Sequence, residues 1–142
     1  MIYVDSSVAL AQLLAEDLRP EPSFWERRPL VASRLLEYEV WRRIHLRDLA
    51  LTHGEAVEDV LGRISFLELA PIVLARALDP FPAPVRTLDA LHLATIDFLR
   101  TQGQRPQLAT YDRRLAAAAA ALDIPLADPG EGVGRHPDQS GL

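Results

Sequence analysis

Short β-prone runs alternate with helix-length segments along this sequence, and that alternation limits the fold more than any other feature. Ile2–Val4 is β-prone and is followed at once by Asp5 and Ser6, whose side chains suit the start of an apolar helix to about residue 15. Residues 30–32 form the next such run, with Ser33 placed to cap a helix to about residue 50. Thr52 is expected to cap a further helix to about residue 65, and residues 66–69 are a weaker strand. Pro71 sits where a first-turn proline is tolerated, opening a helix to about residue 78. Residues 79–84, DPFPAP, are a loop, and Thr87 is expected to cap a helix over residues 88–101. A strand at 107–110, a helix from Tyr111 or Asp112 to about Leu122, and a strand at 124–127 complete the pattern. Residues 16–29 hold three prolines and read as a loop with one helical turn near Phe24 and Trp25. The alternation predicts an α/β fold, a parallel sheet covered by helices on both faces, in one domain over residues 1–128. Residues 129–142, rich in Gly, Pro and charge, are expected to be a disordered tail.

Composition narrows the chemistry. The chain has no cysteine, which excludes a disulfide scaffold, a thiolate zinc site and a thiol nucleophile. No basic segment precedes an apolar run at the start, and no uncharged apolar run reaches the roughly 18 residues of a membrane span. A cytoplasmic protein with no membrane contact is the expectation. The net charge is −5, yet a basic groove and an acidic site can coexist in one fold. All 15 basic residues are Arg, so contacts to phosphate fall to Arg, backbone amides or hydroxyls.

In an open parallel sheet the strand C-termini share one edge, and sites form outside that edge. Asp5 directly follows the first strand and Asp112 follows the strand ending at Thr110. Glu39 lies about two turns into the helix after the second strand, and Asp89 lies in the first turn of a later helix. Four acids from remote parts of the chain can thus converge. Such a cluster raises its own pKa values unless a hard divalent cation, Mg²⁺ or Mn²⁺, neutralises it. Each acid also has a plainer reading: Asp5 and Asp112 as caps, Asp89 as a dipole-stabilising acid, Glu39 as part of a solvated helix face. His92, three residues after Asp89, reads more simply as a core histidine or a neighbour of the acids than as a ligand.

The four acids stand in four blocks that resemble one family. IYVDSSVALAQLL, SRLLEYEVWRRI, RTLDALHLAT and LATYDRRLAAAA resemble, in order, the blocks of PIN-domain proteins of the VapC type, the toxins of VapBC toxin–antitoxin pairs. RTLDALHLAT is the most distinctive of them, and the likeness covers about residues 1–128. The resemblance implies an α/β/α sandwich around a parallel sheet of about five strands. It also implies metal-dependent endonucleolytic cleavage of RNA, Mg²⁺ or Mn²⁺ as cofactor, a cognate antitoxin and a homodimer. Carried onto this sequence, it makes Asp5, Glu39, Asp89 and Asp112 the catalytic and metal-binding residues. Ser6 and Thr110 become hydrogen-bonding neighbours, and Arg42 and Arg86 become candidate partners of phosphate or of the acids. The spacing from Ser33 and the Arg at 42 favour Glu39 over Glu37, which lies about 200° around the helix from it. Residues 16–29 match no pattern of the family.

Two other readings compete. A phosphatase or phosphotransferase could use Asp5 as nucleophile, but the position two residues on is Ser7 and no Lys exists to pair with a phosphoryl group. A non-catalytic or degenerate binding module would leave the joint presence of four acids to coincidence.

Overall fold

In a computed structural model, residues 1–130 and Gly132 are described. Four short strands form one parallel sheet: β1 (Ile2–Val4), β2 (Leu30–Ser33), β3 (Ser65–Leu67) and β4 (Gln107–Ala109), in the order β3-β2-β1-β4. The helices are α1 (Ser6–Leu13), α2 (Leu35–Leu46), α3 (Ala50–Leu61), α4 (Pro71–Leu78), α5 (Thr87–Thr101) and α6 (Arg113–Ala121). The sheet is therefore one strand short of the expected five. Residues 124–127 reach β4 through a single parallel bridge, Leu108 to Leu126. Pro125 has no N–H to donate, and the pairing comes down to Leu108 N–H to Pro125 O and Ala127 N–H to Leu108 O, both 2.8 Å.

Strand alternation divides the core in two. Ile2, Val4, Leu30 and Ala32 face α1, α2 and α3, where Val8, Leu36, Val40, Ile44 and Val57 fill the layer. Tyr3, Val31 and Leu108 face the other way, against Leu93 and Ile96 of α5 and Leu115 and Ala119 of α6. This is an α/β/α sandwich, with α4 packed along α5 outside the second layer.

Some boundaries differ from the sequence reading. The two helices expected at residues 33–50 and 52–65 are both present with earlier ends: α2 stops at Leu46, and the chain turns through Asp48 at φ 55° before α3 begins at Ala50 and ends at Leu61. Thr52 is thus inside α3, where its hydroxyl donates to Leu49 O instead of capping the helix. Thr87 is the first residue of α5 and supplies no cap; Arg86 holds that position without a side-chain hydrogen bond. Ser33 does bond to the start of α2, accepting from Leu35 N–H at 3.1 Å.

Residues 16–29 contain the 3₁₀ turn Pro22–Glu26, which buries Phe24 and Trp25. They also hold the descending chain: Glu21 N–H donates to Pro129 O at 3.0 Å, and Gly132 N–H to Arg19 O at 2.7 Å. The beginning of the expected tail is therefore paired, whereas residue 131 and residues 133–142 lie outside the described residues. Among the described residues no helix is long and apolar enough to cross a membrane.

Candidate functional site

β1 and β4 are adjacent and parallel, so the residues that leave their C-terminal ends are neighbours. Asp5 leaves β1 and caps α1, its Oδ2 accepting from Ser7 N–H at 3.4 Å. The same oxygen accepts from Ser7 Oγ at 2.6 Å and from Thr110 Oγ1 at 2.8 Å. Asp5 is 6% exposed, and its Oδ1 accepts no bond from the described residues. Thr110, just past β4, turns to both acids: its Oγ1 also accepts from Asp112 N–H at 2.9 Å. Asp112 caps α6 with Oδ1, which accepts from Arg114 N–H and Leu115 N–H, and Oδ2 is left without a partner among the described residues.

The other two acids come from the helices that flank this edge. Glu39, on α2, accepts from Ser6 Oγ at 3.2 Å through Oε2 and from His92 Nε2 at 2.5 Å through Oε1. Glu37, two residues earlier, turns away and pairs with Arg34 at 2.9 Å. Asp89 lies in the first turn of α5, half-buried, and accepts no hydrogen bond from the described residues. Burial raises its pKa first, and the charges of Asp112, Asp5 and Glu39 raise it further, against a smaller lowering by His92. Three acids from three other elements thus act on one carboxylate.

His92 is the member that the sequence reading placed only as a core histidine or a neighbour. It is both: 1% exposed, with Nδ1 2.7 Å from the Tyr3 hydroxyl and Nε2 on Glu39. Burial disfavours its charged form, but the Glu39 hydrogen bond and the charges of Glu39, Asp5 and Asp89 outweigh that, and its pKa is raised. Burial also pushes the Tyr3 hydroxyl well above its ordinary pKa, so it stays protonated. The sequence signal for His92 was its place one turn after Asp89. Ser7 and Tyr3 had no such signal, because each acts through a fold-dependent neighbour: Ser7 Oγ accepts from Tyr111 N–H at 2.9 Å, and Tyr3 OH accepts from Ser33 N–H at 3.1 Å.

The arginines lie further out. Arg86 lines a cleft of about 420 Å³ with Asp89, Arg114, Val85 and Ala117. Arg42 is exposed on α2, one turn after Glu39, with no ion pair among the described residues.

Among the described residues no three His, Asp or Glu side chains stand as a ready-made ligand cluster. The donor chemistry nonetheless fits a hard cation. All four acids offer oxygen, and Asp89, Asp5 Oδ1 and Asp112 Oδ2 offer carboxylate oxygens that no donor among the described residues satisfies.

A doubly wound parallel sheet, with acids gathered at the carboxyl edge of its adjacent strands, defines the class: an α/β/α sandwich with a carboxylate-rich site. The PIN domain model matches residues 2–126, and the chain belongs to the PIN-domain family. It is 34% identical over 137 residues to Ribonuclease VapC35 of Mycobacterium tuberculosis, covering 92% of this chain and 98% of that one. It is 35% identical over 130 residues to Ribonuclease VapC46 of the same organism, covering 90% and 97%. In structure it resembles PAE2754 from Pyrobaculum aerophilum, with a TM-score of 0.56 at 21% identity over 87% of this chain and 93% of that one. That last likeness bears on the fold.

Proposed function

We infer that this chain is a metal-dependent endoribonuclease and the toxin component of a toxin–antitoxin pair. The observation that carries the reading is Asp89, a half-buried carboxylate with no hydrogen-bond donor among the described residues, facing the charges of Asp112, Asp5 and Glu39. Such an arrangement is costly unless a cation neutralises it. Family membership and two relatives named as ribonucleases over nearly the whole chain support the same reading.

Asp5, Glu39, Asp89 and Asp112 would hold Mg²⁺ or Mn²⁺. Bound there, the ion would supply Lewis acidity to the phosphodiester and to the attacking water. The chain's own groups do the positioning. Ser7 and Thr110 hold Asp5 Oδ2, leaving Oδ1 without a donor among the described residues. Ser6 holds one oxygen of Glu39. Arg86 and Arg114 line the cleft that includes Asp89 and would take backbone phosphates of the RNA. A nucleophilic role for Asp5 is disfavoured, since its Oδ2 already accepts three hydrogen bonds and the residue is nearly inaccessible.

The relatives' VapC-type names support a cognate antitoxin as partner; a second copy of the chain as dimer mate and the cytoplasm as location are further parts of the proposal, carried by the family resemblance alone. The direct test incubates the purified chain with a mixed RNA pool, with Mg²⁺, with Mn²⁺ and with excess chelator. Cleavage only with metal is expected. Cleavage that persists in chelator overturns the metal reading, and an intact pool under every condition overturns the nuclease.

A further inference from the structure

We propose that His92 is a positioning residue whose buried imidazole orients the Glu39 carboxylate toward the cation. The inference rests on the metal-nuclease reading above and adds to it a residue that contacts neither metal nor RNA.

The geometry is a continuous chain of hydrogen bonds from backbone to site. Ser33 N–H, at the end of β2, donates to the Tyr3 hydroxyl at 3.1 Å. That hydroxyl lies 2.7 Å from His92 Nδ1. A carboxylate can only accept, so His92 Nε2 carries the proton that it gives to Glu39 Oε1. The Tyr3 and His92 rings meet edge to face, 5.8 Å apart at 76°. The imidazole is thus held at both nitrogens, and cannot turn without breaking two hydrogen bonds.

Burial makes that arrangement informative. An imidazole that is 1% exposed must have its polar atoms satisfied, whereas an apolar side chain would pack in the same layer without that demand. Both ring nitrogens are satisfied here, and one of them is satisfied by an acid of the site. Glu39 is bonded at both oxygens in turn, by Ser6 on one side and His92 on the other. A glutamate carries three rotatable bonds, and fixing both carboxylate oxygens removes most of that freedom before a cation arrives. Each oxygen keeps a lone pair for the ion.

Helix α5 therefore contributes twice. It presents Asp89 directly, and one turn later it sets the orientation of an acid on α2 through His92. Outer partners of this kind typically govern metal affinity or activity by roughly 10- to 100-fold.

The test compares wild type, His92→Leu and His92→Gln by calorimetric titration with Mn²⁺ alone, and by RNA cleavage at saturating Mn²⁺. The Leu variant should lose roughly 10- to 100-fold in Mn²⁺ affinity and lower kcat, with KM for RNA little changed. The Gln variant, which can still offer an amide N–H near the place of Nε2, should recover most of both. A Leu variant with wild-type Mn²⁺ affinity, or a folded Gln variant no better than Leu, overturns the proposal. Should the Leu variant fail to fold, Tyr3→Phe carries the test: it keeps the ring packing, frees the imidazole to turn, and should weaken Mn²⁺ binding severalfold. Unchanged affinity in that variant overturns the proposal as well. Wild type that takes up no Mn²⁺ is a separate outcome, which overturns the metal reading and this inference with it.

Discussion

Thr110 Oγ1 donates a 2.8 Å hydrogen bond to Asp5 Oδ2, joining the ends of two parallel strands across 105 positions of sequence. Because the same oxygen accepts from Asp112 N–H, one hydroxyl sets the spacing of two acids. Thr110→Val keeps the shape and removes both bonds. It should cost about 1–3 kcal/mol in stability and roughly tenfold or more in Mn²⁺ affinity, while Thr110→Ser keeps most of each. Chemical denaturation and a Mn²⁺ titration measure the two effects. Wild-type affinity in the Val variant would remove Thr110 from the site.

Glu39→Gln should abolish cleavage, and Glu37→Gln should leave most of it. Glu39 meets Ser6 and His92, whereas Glu37 pairs with Arg34 in a partly exposed bridge that solvent screens. Initial rates of RNA cleavage at matched protein concentration decide between them. Activity lost from the Glu37 variant alone would mean that α2 presents its other face.

Asp89→Asn should leave the metal-free protein as stable as wild type, or more so, while abolishing cleavage. The folded-state pKa of Asp89 is raised, so its ionised form weakens the fold. The stability contributed by its protonated form is fully present below the ordinary Asp range and is lost as pH rises through the raised value. In chelator, the advantage of the Asn variant should therefore be largest near neutral pH and close as pH falls toward about 4. Thermal melts across that range measure it. An Asn variant less stable at neutral pH, with the deficit closing in acid as Asp89 is protonated, would point to a plain helix-start role.

Metal should reverse that ranking. A ligand at about 100 times its dissociation constant stabilises a folded state by roughly 2.7 kcal/mol. Wild type should show such a gain on adding Mn²⁺ or Mg²⁺, and the Asn variant much less. Equal gains in the two proteins would take Asp89 out of the metal site.

Arg86→Ala and Arg114→Ala should each weaken single-stranded RNA binding and make it less dependent on salt. Both side chains are exposed, line the Asp89 cleft and have no ion pair among the described residues. Removing one arginine–phosphate pairing should make the slope of log affinity against log salt shallower by about 0.7. Binding measured in chelator, from low to moderate salt, tests this. An unchanged slope would place the RNA elsewhere.

What the sequence revealed depended on range. Asp5 and Asp112 were legible because capping is local: each acid bonds amides two or three residues away, immediately after a strand. Glu39 was legible as a register on one helix, but its orientation was not, since Ser6 and His92 come from other elements. The role of His92 depends on Tyr3 from β1, a neighbour 89 positions away that no local pattern encodes. The break between α2 and α3 was legible but was read a few residues late, for a related reason. The turn through Asp48 has no Gly or Pro to announce it and relies on a non-glycine residue at positive φ. The fifth strand was overcounted because residues 124–127 have a strand's composition, while Pro125 lacks the N–H needed to extend the ladder. Residues 16–29, unreadable by motif, hold the descending chain near Pro129 and Gly132.

The strand order has a consequence for the timing of activity during synthesis. β1 is made first, yet its neighbour in the sheet, β4, brings in Asp112 only 107 residues after Asp5. At about 5–20 residues per second, a ribosome needs roughly 5–20 seconds to bridge that gap. A nascent or truncated chain ending before β4 lacks both Thr110 and Asp112, and so lacks one wall of the acid cluster. On the metal-nuclease reading, the nascent chain is thus inactive toward the RNA that encodes it until β4 and Asp112 have emerged.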